Sequence, residues 1–211
     1  MYVGRIVAIG QTRNGNNVGM YRISSRAFPN RSTKLSSNLV SVVPRAGFES
    51  DLTKSPYISY NCIRIAKSFA VITNGSHTDP IAEKIDMGYP VRDALALALL
   101  AMDYEKDNYK TPRIAGVISL ESNLAYLASV KENSLVVRDF ELEPGICFYV
   151  ATYEHSIPCV HYKDSSFDAC DAKQAKEYIF SKGIFAQLEL PVTSVAVISN
   201  KNTFAFEAEL N

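Results

Sequence analysis

Two adjacent helix patterns interrupt a chain that otherwise consists of short strand patterns, and this order constrains the fold more than any other feature. Runs of β-branched and aromatic residues fill the chain before residue 74 and after residue 112, and Asn14-Gly15 marks a hairpin turn between the first two runs. Strands grouped in this way favour antiparallel sheets with helices on their outer faces over a βαβ alternation. We therefore predict an α+β fold in which two stacked sheets lie between helical layers.

The predicted elements follow from local patterns. Asp79, as N-cap, and Pro80, in the first helical position, begin a helix that Gly88 ends. A second helix runs from residue 90 to about residue 105, and a third covers residues 166–182. The centre of the second helix, residues 94–102, is apolar on all sides, which is typical of a buried helix. Strand patterns occupy residues 2–9, 17–24, 39–43, 57–66, 69–73, 113–119, 124–130, 134–140, 146–151, 192–199 and 203–207.

Composition limits the class of protein. The 211 residues fit a single domain, 1–211, and contain 22 basic and 22 acidic side chains. This balance gives no support to nucleic-acid or anionic-membrane binding, because both need a basic excess. No stretch reaches the length of apolar sequence that a membrane helix needs. The four cysteines form no CxxC pair, so we expect reduced thiols and a cytoplasmic protein.

A polar tract after the second strand is suited to an anion. Arg26 and Arg31 flank a turn that follows Ser24 and Ser25, and Arg22 on the preceding strand can join them. Guanidinium groups with neighbouring hydroxyls are good phosphate ligands, since arginine offers forked donors in fixed geometry. A solvated basic loop explains the same tract equally well.

Two further tracts place polar groups beside apolar runs. Tyr60 and Asn61 lie inside an apolar strand, where a buried amide needs a partner, either a ligand or the backbone. Asn74, Gly75 and His77 link a strand to a helix start, where backbone N–H groups attract anions or carbonyl oxygens. The plainer interpretations are a core tyrosine, a backbone-bonded asparagine and an ordinary turn.

A fourth tract ends the apolar helix with acids. Asp103 and Glu105 stand at a helix C-terminus, which prefers cations, and Lys106 offsets them only in part. A locally unfavourable choice is typical of a functional site, although a solvated helix end is the commoner outcome. Spacing predicts no metal site: the set His155, Cys159, His161 and Cys170 matches no zinc pattern.

Together these four tracts resemble the archaeal-type IMP cyclohydrolases. The resemblance covers most of the chain and is strongest from residue 2 to residue 115. It lies in the order and spacing of four segments: Ser24-Ser25-Arg26 with Phe28-Pro29-Asn30-Arg31, Tyr60-Asn61-Cys62-Ile63-Arg64, Asn74-Gly75-Ser76-His77-Thr78-Asp79 and Met102-Asp103-Tyr104-Glu105-Lys106-Asp107.

The resemblance implies a four-layered α-β-β-α sandwich of two mainly antiparallel sheets, like that of N-terminal-nucleophile hydrolases. It implies cyclodehydration of 5-formamido-1-(5-phosphoribosyl)imidazole-4-carboxamide to IMP, a small-molecule purine ribotide reaction that needs no metal or organic cofactor. It also implies a homo-oligomer.

Roles for individual residues follow as hypotheses from this chemistry. Tyr60 and Arg31 would bind the formyl oxygen, and Glu105 would transfer the proton. Ser24, Ser25 and Arg26 would hold the 5′-phosphate, and Arg22 on the preceding strand could join this cluster. The remaining substrate-binding candidates are Asn61 and Asn74, facing the carboxamide or the ring, and Gly75, His77 and Asp103 beside them.

Two other functions remain open from sequence. An N-terminal-nucleophile amidohydrolase needs Ser, Thr or Cys at the mature N-terminus, whereas position 2 is Tyr2 and a cut before Cys62 would sever a predicted strand. A non-catalytic purine-nucleotide-binding protein would share the phosphate and amide groups but would have no use for Glu105.

Overall fold

The structure, a computed structural model, describes residues 1–55 and 57–208, which form strands in two antiparallel sheets and three α-helices. In chain order the strands are β1 (Arg5–Gln11), β2 (Asn17–Ser24), β3 (Arg31–Ser36), β4 (Leu39–Pro44), β5 (Tyr60–Ala66), β6 (Phe69–Thr73), β7 (Arg113–Ser119), β8 (Leu124–Lys131), β9 (Ser134–Glu141), β10 (Ile146–Ala151), β11 (Lys163–Asp164), β12 (Pro191–Asn200) and β13 (Thr203–Glu207). The helices are α1 (Thr78–Asp86), α2 (Val91–Met102) and α3 (Ala172–Ser181). Short 3-10 helices cover Glu49–Thr53 and Gly183–Gln187.

Each sheet is built mainly from hairpins. The first sheet has six strands in the order β11-β10-β1-β2-β12-β13, and the second has seven in the order β3-β4-β5-β6-β7-β8-β9. The pairs between these named strands are all antiparallel. In the first sheet β1 lies between β10 and β2, so the end of β10 comes beside the beginning of β1. That edge later supplies part of the functional site.

Strand alternation sets the layers. In β1, Val7 and Ile9 point into a core between the two sheets, while Ile6 and Ala8 point into a second core against α3. The outer face of the second sheet packs on α1 and α2 through a third core. The order is therefore α3, first sheet, second sheet, then α1 with α2. The predicted four-layered α-β-β-α sandwich is confirmed.

The start of α1 differs from the sequence prediction. The helix begins at Thr78, so Asp79 and Pro80 are its second and third residues, and the N-cap is His77 without a side-chain capping bond. The hydroxyl of Thr78, the first helical residue, donates to the carbonyls of Asn61 and Gly75 and therefore caps no backbone N–H. Asp79 is then free to accept hydrogen bonds from Asn61 Nδ2 and Arg64 Nη1. The predicted N-cap role of Asp79 is wrong.

Helix α2 is shorter and less buried than predicted. It ends at Met102, because Asp103 leaves the helix with a φ of 55°. Leu95 and Leu99 pack on the second sheet, but Leu97 is 45% and Leu100 is 70% exposed. One apolar face therefore points outward, contrary to the prediction of a fully buried helix. No helix in the described part of the chain is long and apolar enough to span a bilayer.

Other predicted elements also differ: β1 begins at Arg5 rather than at residue 2, and β5 begins at Tyr60 rather than at residue 57. Helix α3 begins at Ala172 rather than at residue 166, since the Asp171 carboxylate caps it by accepting from Gln174 N. Strand β3 was not predicted, because its sequence Arg-Ser-Thr-Lys-Leu-Ser carries a single apolar residue. Arg31, which was predicted to lie in a turn, is therefore the first residue of a strand.

Candidate active site

A cavity of about 320 Å³ opens at one end of the sandwich, where both sheets contribute strand ends. Arg5 enters from the start of β1, Tyr153 from the segment after β10, and Arg31 from the start of β3. Glu105 enters from the segment between α2 and β7. The size is in the range of pockets for small molecules. Side chains from both sheets converge here, which is the arrangement expected for a rigidly held binding site.

Glu105 is a buried carboxylate held between two arginines. Its side chain is 1% exposed, its Oε2 accepts a 2.8 Å hydrogen bond from Arg5 Nη2, and its Oε1 lies 4.0 Å from Arg113 Nη1. Burial raises the pKa of Glu105, while Arg5 and Arg113 pull it down. Burial lowers the pKa of Arg5, but Glu105 together with nearby tyrosines more than offsets this, so the pKa of Arg5 rises. The carboxylate is thus buried between two cations that oppose the effect of burial on its pKa.

Arg31 and Tyr60 form a second group beside the first. The Arg31 side chain lines the cavity, and its Nε donates to Phe28 O. Tyr60 does not line the cavity itself, but its hydroxyl lies 2.6 Å from the Tyr21 hydroxyl. Burial raises the pKa of Tyr60, whereas Arg31 and Arg5 lower it. Two cations therefore favour a hydrogen-bonded, polarised phenol at this place.

Aromatic rings form one wall of the cavity. Tyr2 and Tyr153 stack with ring centroids 5.7 Å apart, and Tyr109 meets Tyr153 edge-on at 6.4 Å. The guanidinium of Arg26 lies 4.3 Å from the centroid of the Tyr2 ring. Phe28 and Tyr57 also line the cavity. Such a wall is suited to a planar heterocycle, because aromatic rings stack on one another.

The structure brings together part of the predicted set. Ser25, Arg26, Arg31 and Glu105 line the cavity, and Tyr60 lies next to two of its arginines. Arg26 is 66% exposed and lies 3.9 Å from Glu189, so it stands at the rim. The Ser25 hydroxyl accepts from Phe28 N and shapes the turn between β2 and β3.

Arg22 and Ser24 point to the opposite face of the first sheet, which corrects the expectation that they join the arginine cluster. Both lie on the α3 side of β2, and Arg22 Nε donates to Ser24 Oγ. The Arg22 guanidinium donates to the carbonyls of Phe185 and Leu188, and burial lowers its pKa to about 10. Arg22 therefore stitches β2 to the 3-10 helix after α3.

Three other residues that were predicted to bind substrate bond protein groups away from the cavity. The Asn61 amide bonds Ser41 and Asp79 on the α1 side of the second sheet. The Asn74 amide donates to Pro112 O and accepts from Ile114 N, so it splices the end of β6 to the start of β7. Asp103 is paired with Lys106 at the surface. None of the three lines the cavity.

Gly75 and His77 lie next to Glu105 without lining the cavity. His77 is fully buried, and its Nε2 is 3.0 Å from Ile114 O. Burial, with the nearby Arg113, lowers the pKa of His77 to about 3, so its ring is neutral. A Cβ built on Gly75 would lie 3.4 Å from Glu105 Oε1.

Sequence reasoning missed Arg5, Arg113 and most of the aromatic wall. Arg5 and Tyr153 each stand alone in their segments, and no local pattern connects them. They meet because β10 pairs with β1, with Ile6 opposite Ala151. Arg113 opens β7, and Tyr57 lies within a tract that was noticed for Tyr60. Only knowledge of the strand pairing could have joined these residues.

The cysteines and histidines outside this cavity are dispersed. In residues 1–55 and 57–208, no group of three or more His, Cys, Asp and Glu side chains is placed to hold a metal ion. His155 is instead bonded to the Tyr149 hydroxyl at 2.7 Å, and Cys170 is exposed. Cys62 is buried and donates to Val40 O, and burial raises the pKa of its thiol.

Comparisons with known proteins identify the family that this chain resembles. The family model described as IMP cyclohydrolase-like protein matches residues 2–203. A protein of Methanosphaera stadtmanae named IMP cyclohydrolase is 46% identical over 199 residues, covering 94% of this chain and 95% of its own. One of Methanocella arvoryzae with the same name is 51% identical over 187 residues, covering 88% and 90%.

A third relative, which is less similar in sequence, has the same name. A protein of Haloquadratum walsbyi, also named IMP cyclohydrolase, is 43% identical over 197 residues, covering 93% of this chain and 90% of its own. The family match over residues 2–203 includes every residue that lines the cavity. The chain belongs to the family of IMP cyclohydrolase-like proteins.

Proposed function

We infer that this protein is an IMP cyclohydrolase, which closes 5-formamido-1-(5-phosphoribosyl)imidazole-4-carboxamide to IMP with loss of water, the last step of de novo purine biosynthesis. The family and its archaeal relatives of that name support the activity. The structural observation that carries it is a buried carboxylate, Glu105, at a cavity that also presents Arg5 and Arg31.

The reaction needs positioning first. The carboxamide nitrogen attacks the formyl carbon, so the two atoms must be held about 3 to 3.5 Å apart. The Tyr2–Tyr153 wall would hold the imidazole ring by stacking, and the walls would keep the two substituents in the ring plane. Ser25 and Arg26 at the rim would take the 5′-phosphate. Ser24 and Arg22 have no part in this, because they lie across the first sheet.

The formyl oxygen gains negative charge as the new bond forms and then leaves as water. Arg31 would donate to it from the cavity wall. The Tyr60 hydroxyl, which lies beside Arg31 and is bonded to Tyr21 although it is not itself part of the cavity lining, would supply a second donor or its proton. Both groups are fixed before substrate arrives: Arg31 by Phe28 O, and Tyr60 by its bond to Tyr21. Such preorganised donors stabilise a developing charge without reorganising.

Glu105 accepts the proton that the attacking nitrogen loses. Its ionised form is held by Arg5, and its burial keeps the carboxylate basic enough to accept a proton. The carboxyl then gives this proton to the formyl oxygen, directly or through Tyr60. A second proton, lost from the formamido nitrogen as the ring C=N bond forms and the C–O bond breaks, joins the same oxygen, which leaves as water. Asp107, which also lines the cavity, bonds Thr111 and shapes the segment that carries Glu105.

A nucleophile of the N-terminal type is not part of this proposal. Cys62 lies in the middle of β5, where its buried thiol donates to the carbonyl of Val40. It is therefore not a free thiolate that could act as a nucleophile. We also propose that the chain acts as one domain, in a cytoplasmic homo-oligomer. The cavity takes residues from Tyr2 to Tyr153, which supports the single functional unit.

The decisive experiment mixes the purified protein with the formamido ribotide in EDTA and follows the absorbance change of ring closure. Conversion to IMP at enzymatic rates supports the proposal and dispenses with a divalent metal. If IMP raises the melting temperature but no ring closure occurs, the protein is a nucleotide-binding protein and Glu105 has no catalytic role.

A further inference from the structure

Three buried polar atoms converge on one small space beside Gly75, on the side of Glu105 away from Arg5. They are Glu105 Oε1, Arg113 Nη1 and His77 Nδ1, and none of them bonds any residue that the structure describes. A Cβ built on Gly75 would lie 2.9 Å from Arg113 Nη1, 3.3 Å from His77 Nδ1 and 3.4 Å from Glu105 Oε1. The three atoms therefore lie around one common point, and a side chain at position 75 would crowd them.

The donors and acceptors around this point are fixed by their other bonds. His77 Nε2 lies 3.0 Å from Ile114 O and must carry the ring proton, so Nδ1 is an acceptor. Arg113 Nε donates to Asp103 O at 2.8 Å, which aims the guanidinium, and its Nη1 is a donor. Ionised Glu105 accepts through Oε1. One donor and two acceptors thus surround the space.

A water molecule has the complementary pattern of two donors and an acceptor. Buried waters typically make about three hydrogen bonds to groups that would otherwise be unsatisfied. A cation here would be repelled by Arg113, and an anion by Glu105. A neutral molecule of this size satisfies all three atoms at once.

We propose that one ordered water occupies the space beside Gly75, donating to Glu105 Oε1 and His77 Nδ1 and accepting from Arg113 Nη1, and that Arg113 and His77 are thereby positioning residues for Glu105. The role in turnover rests on the proposed function of Glu105. With Arg5 on Oε2 and the water on Oε1, the carboxylate cannot rotate, and its plane is set before substrate binds.

Filling this space changes the charge balance at Glu105. The charged and titratable groups that face it are Arg5 from β1, Arg113 from β7, His77 from the segment before α1, and Asp107 two residues along the chain. The water's donated bond favours the ionised carboxylate, as do both arginines, while Asp107 opposes it. Without the water, Glu105 holds its proton to higher pH, and the acid limb of the kcat profile moves to higher pH.

The first test is a crystal structure of the unliganded protein at a resolution that shows waters. We expect a density peak within about 3.4 Å of all three atoms. Gly75→Ala should abolish the peak, lower kcat at least about fivefold, shift the acid limb upward by about half a pH unit or more, and leave KM nearly unchanged.

The control for lost stability is Gly88→Ala. Gly88 lies beyond the other end of α1 with a φ of 94°, so alanine there strains the backbone far from Glu105. This variant should lose stability but keep the pH profile of the parent protein. If Gly75→Ala does not fold, Arg113→Met replaces it. Arg113→Met should show the same shift, and Arg113→Lys, which keeps a cationic donor, should restore part of it.

Two results would overturn the inference: a well-ordered structure without a peak at this point, or a folded Gly75→Ala variant with unchanged kcat and pH profile. The proposed function fails separately, since a parent protein that cannot close the ring could still show the water. If the parent protein closes the ring but its crystal structure shows no water at this point, only this inference is wrong.

Discussion

Arg5 and Glu105 are a hundred residues apart in the chain, yet Arg5 Nη2 and Glu105 Oε2 lie 2.8 Å apart at the base of the cavity. The pair joins the start of β1 in the first sheet to the segment that leads into β7 of the second. Burial raises the pKa of this carboxyl group, and Arg5 and Arg113 oppose that rise. The site therefore depends on the two sheets being packed in register, and the variants below separate chemistry from packing.

Glu105→Gln should reduce kcat at least tenfold, a bound set below the roughly 10²–10⁴-fold that general acid–base catalysis typically contributes. The amide fills the same volume but cannot accept the proton, and it leaves Arg5 and Arg113 without a counter-charge. Some loss of stability is expected as well, because both arginines are largely buried. Turnover is therefore measured well below the melting temperature, with folding checked by circular dichroism. A folded variant with the parent turnover would remove Glu105 from the mechanism.

Tyr60→Phe should also reduce kcat at least about tenfold, because it removes a donor to the formyl oxygen. KM should change little if the hydroxyl acts mainly as the bond forms. Tyr149→Phe is the matched control: Tyr149 is buried, and its hydroxyl bonds His155 in another part of the molecule. Equal losses of kcat in the two variants would show that a missing buried hydroxyl, rather than catalysis, explains the result.

Arg22 and Arg26 stand four residues apart and should behave as opposites. Arg22→Met leaves the carbonyls of Phe185 and Leu188 without their donor and should lower the free energy of unfolding by about 2–4 kcal/mol, with KM unchanged. Arg26→Gln should leave stability within about 0.5 kcal/mol and raise KM, because Arg26 is exposed at the rim. Urea unfolding and steady-state kinetics on both variants decide. A raised KM in Arg22→Met would place that guanidinium back at the phosphate.

His77 should make the folded state sensitive to acid. Burial and Arg113 lower the pKa of His77 to about 3, whereas histidine in an unfolded chain titrates near 6.5. Between these values the unfolded chain binds a proton that the folded protein refuses. The contribution of His77 to stability is therefore fully present above about pH 6.5 and is lost as the pH falls toward 3.

His77→Gln removes this titration while keeping a donor for Ile114 O. The free energy of unfolding is measured in urea at several pH values from 4 to 7. The parent protein should lose up to about 1.4 kcal/mol per pH unit more than the variant in this range. Parallel pH curves for the two proteins would mean that folded His77 binds a proton as readily as it does in the unfolded chain.

The sequence allowed the layers to be predicted but not the inventory of the site. Strand alternation and the adjacent helices were enough for two sheets between helical layers. Strand alternation in β2 would also have placed Arg22 on the correct face. Arg22 stands two residues after Met20, whose side chain packs against α3. Arg22 and Met20 must therefore share a face, away from Arg31.

Other parts of the site had no local pattern. Asn74 has the residue type of a ligand contact, yet its amide serves Pro112 and Ile114, which lie about forty residues further along the chain. Arg5 and Tyr153 become neighbours only through the pairing of β1 with β10. Glu105 was predicted because acids beyond an apolar helix are locally unfavourable, a conflict that its two arginine neighbours resolve.

The cavity has residues from Tyr2 to Tyr153 in its wall, and its key ion pair bridges a hundred residues. During synthesis a fragment that ends before Tyr153 lacks part of this wall, so under the proposed function a growing chain stays catalytically inactive until most of it has left the ribosome. Ring closure would then mark completed docking of the two sheets, and recovery of activity during refolding would trail the recovery of secondary structure.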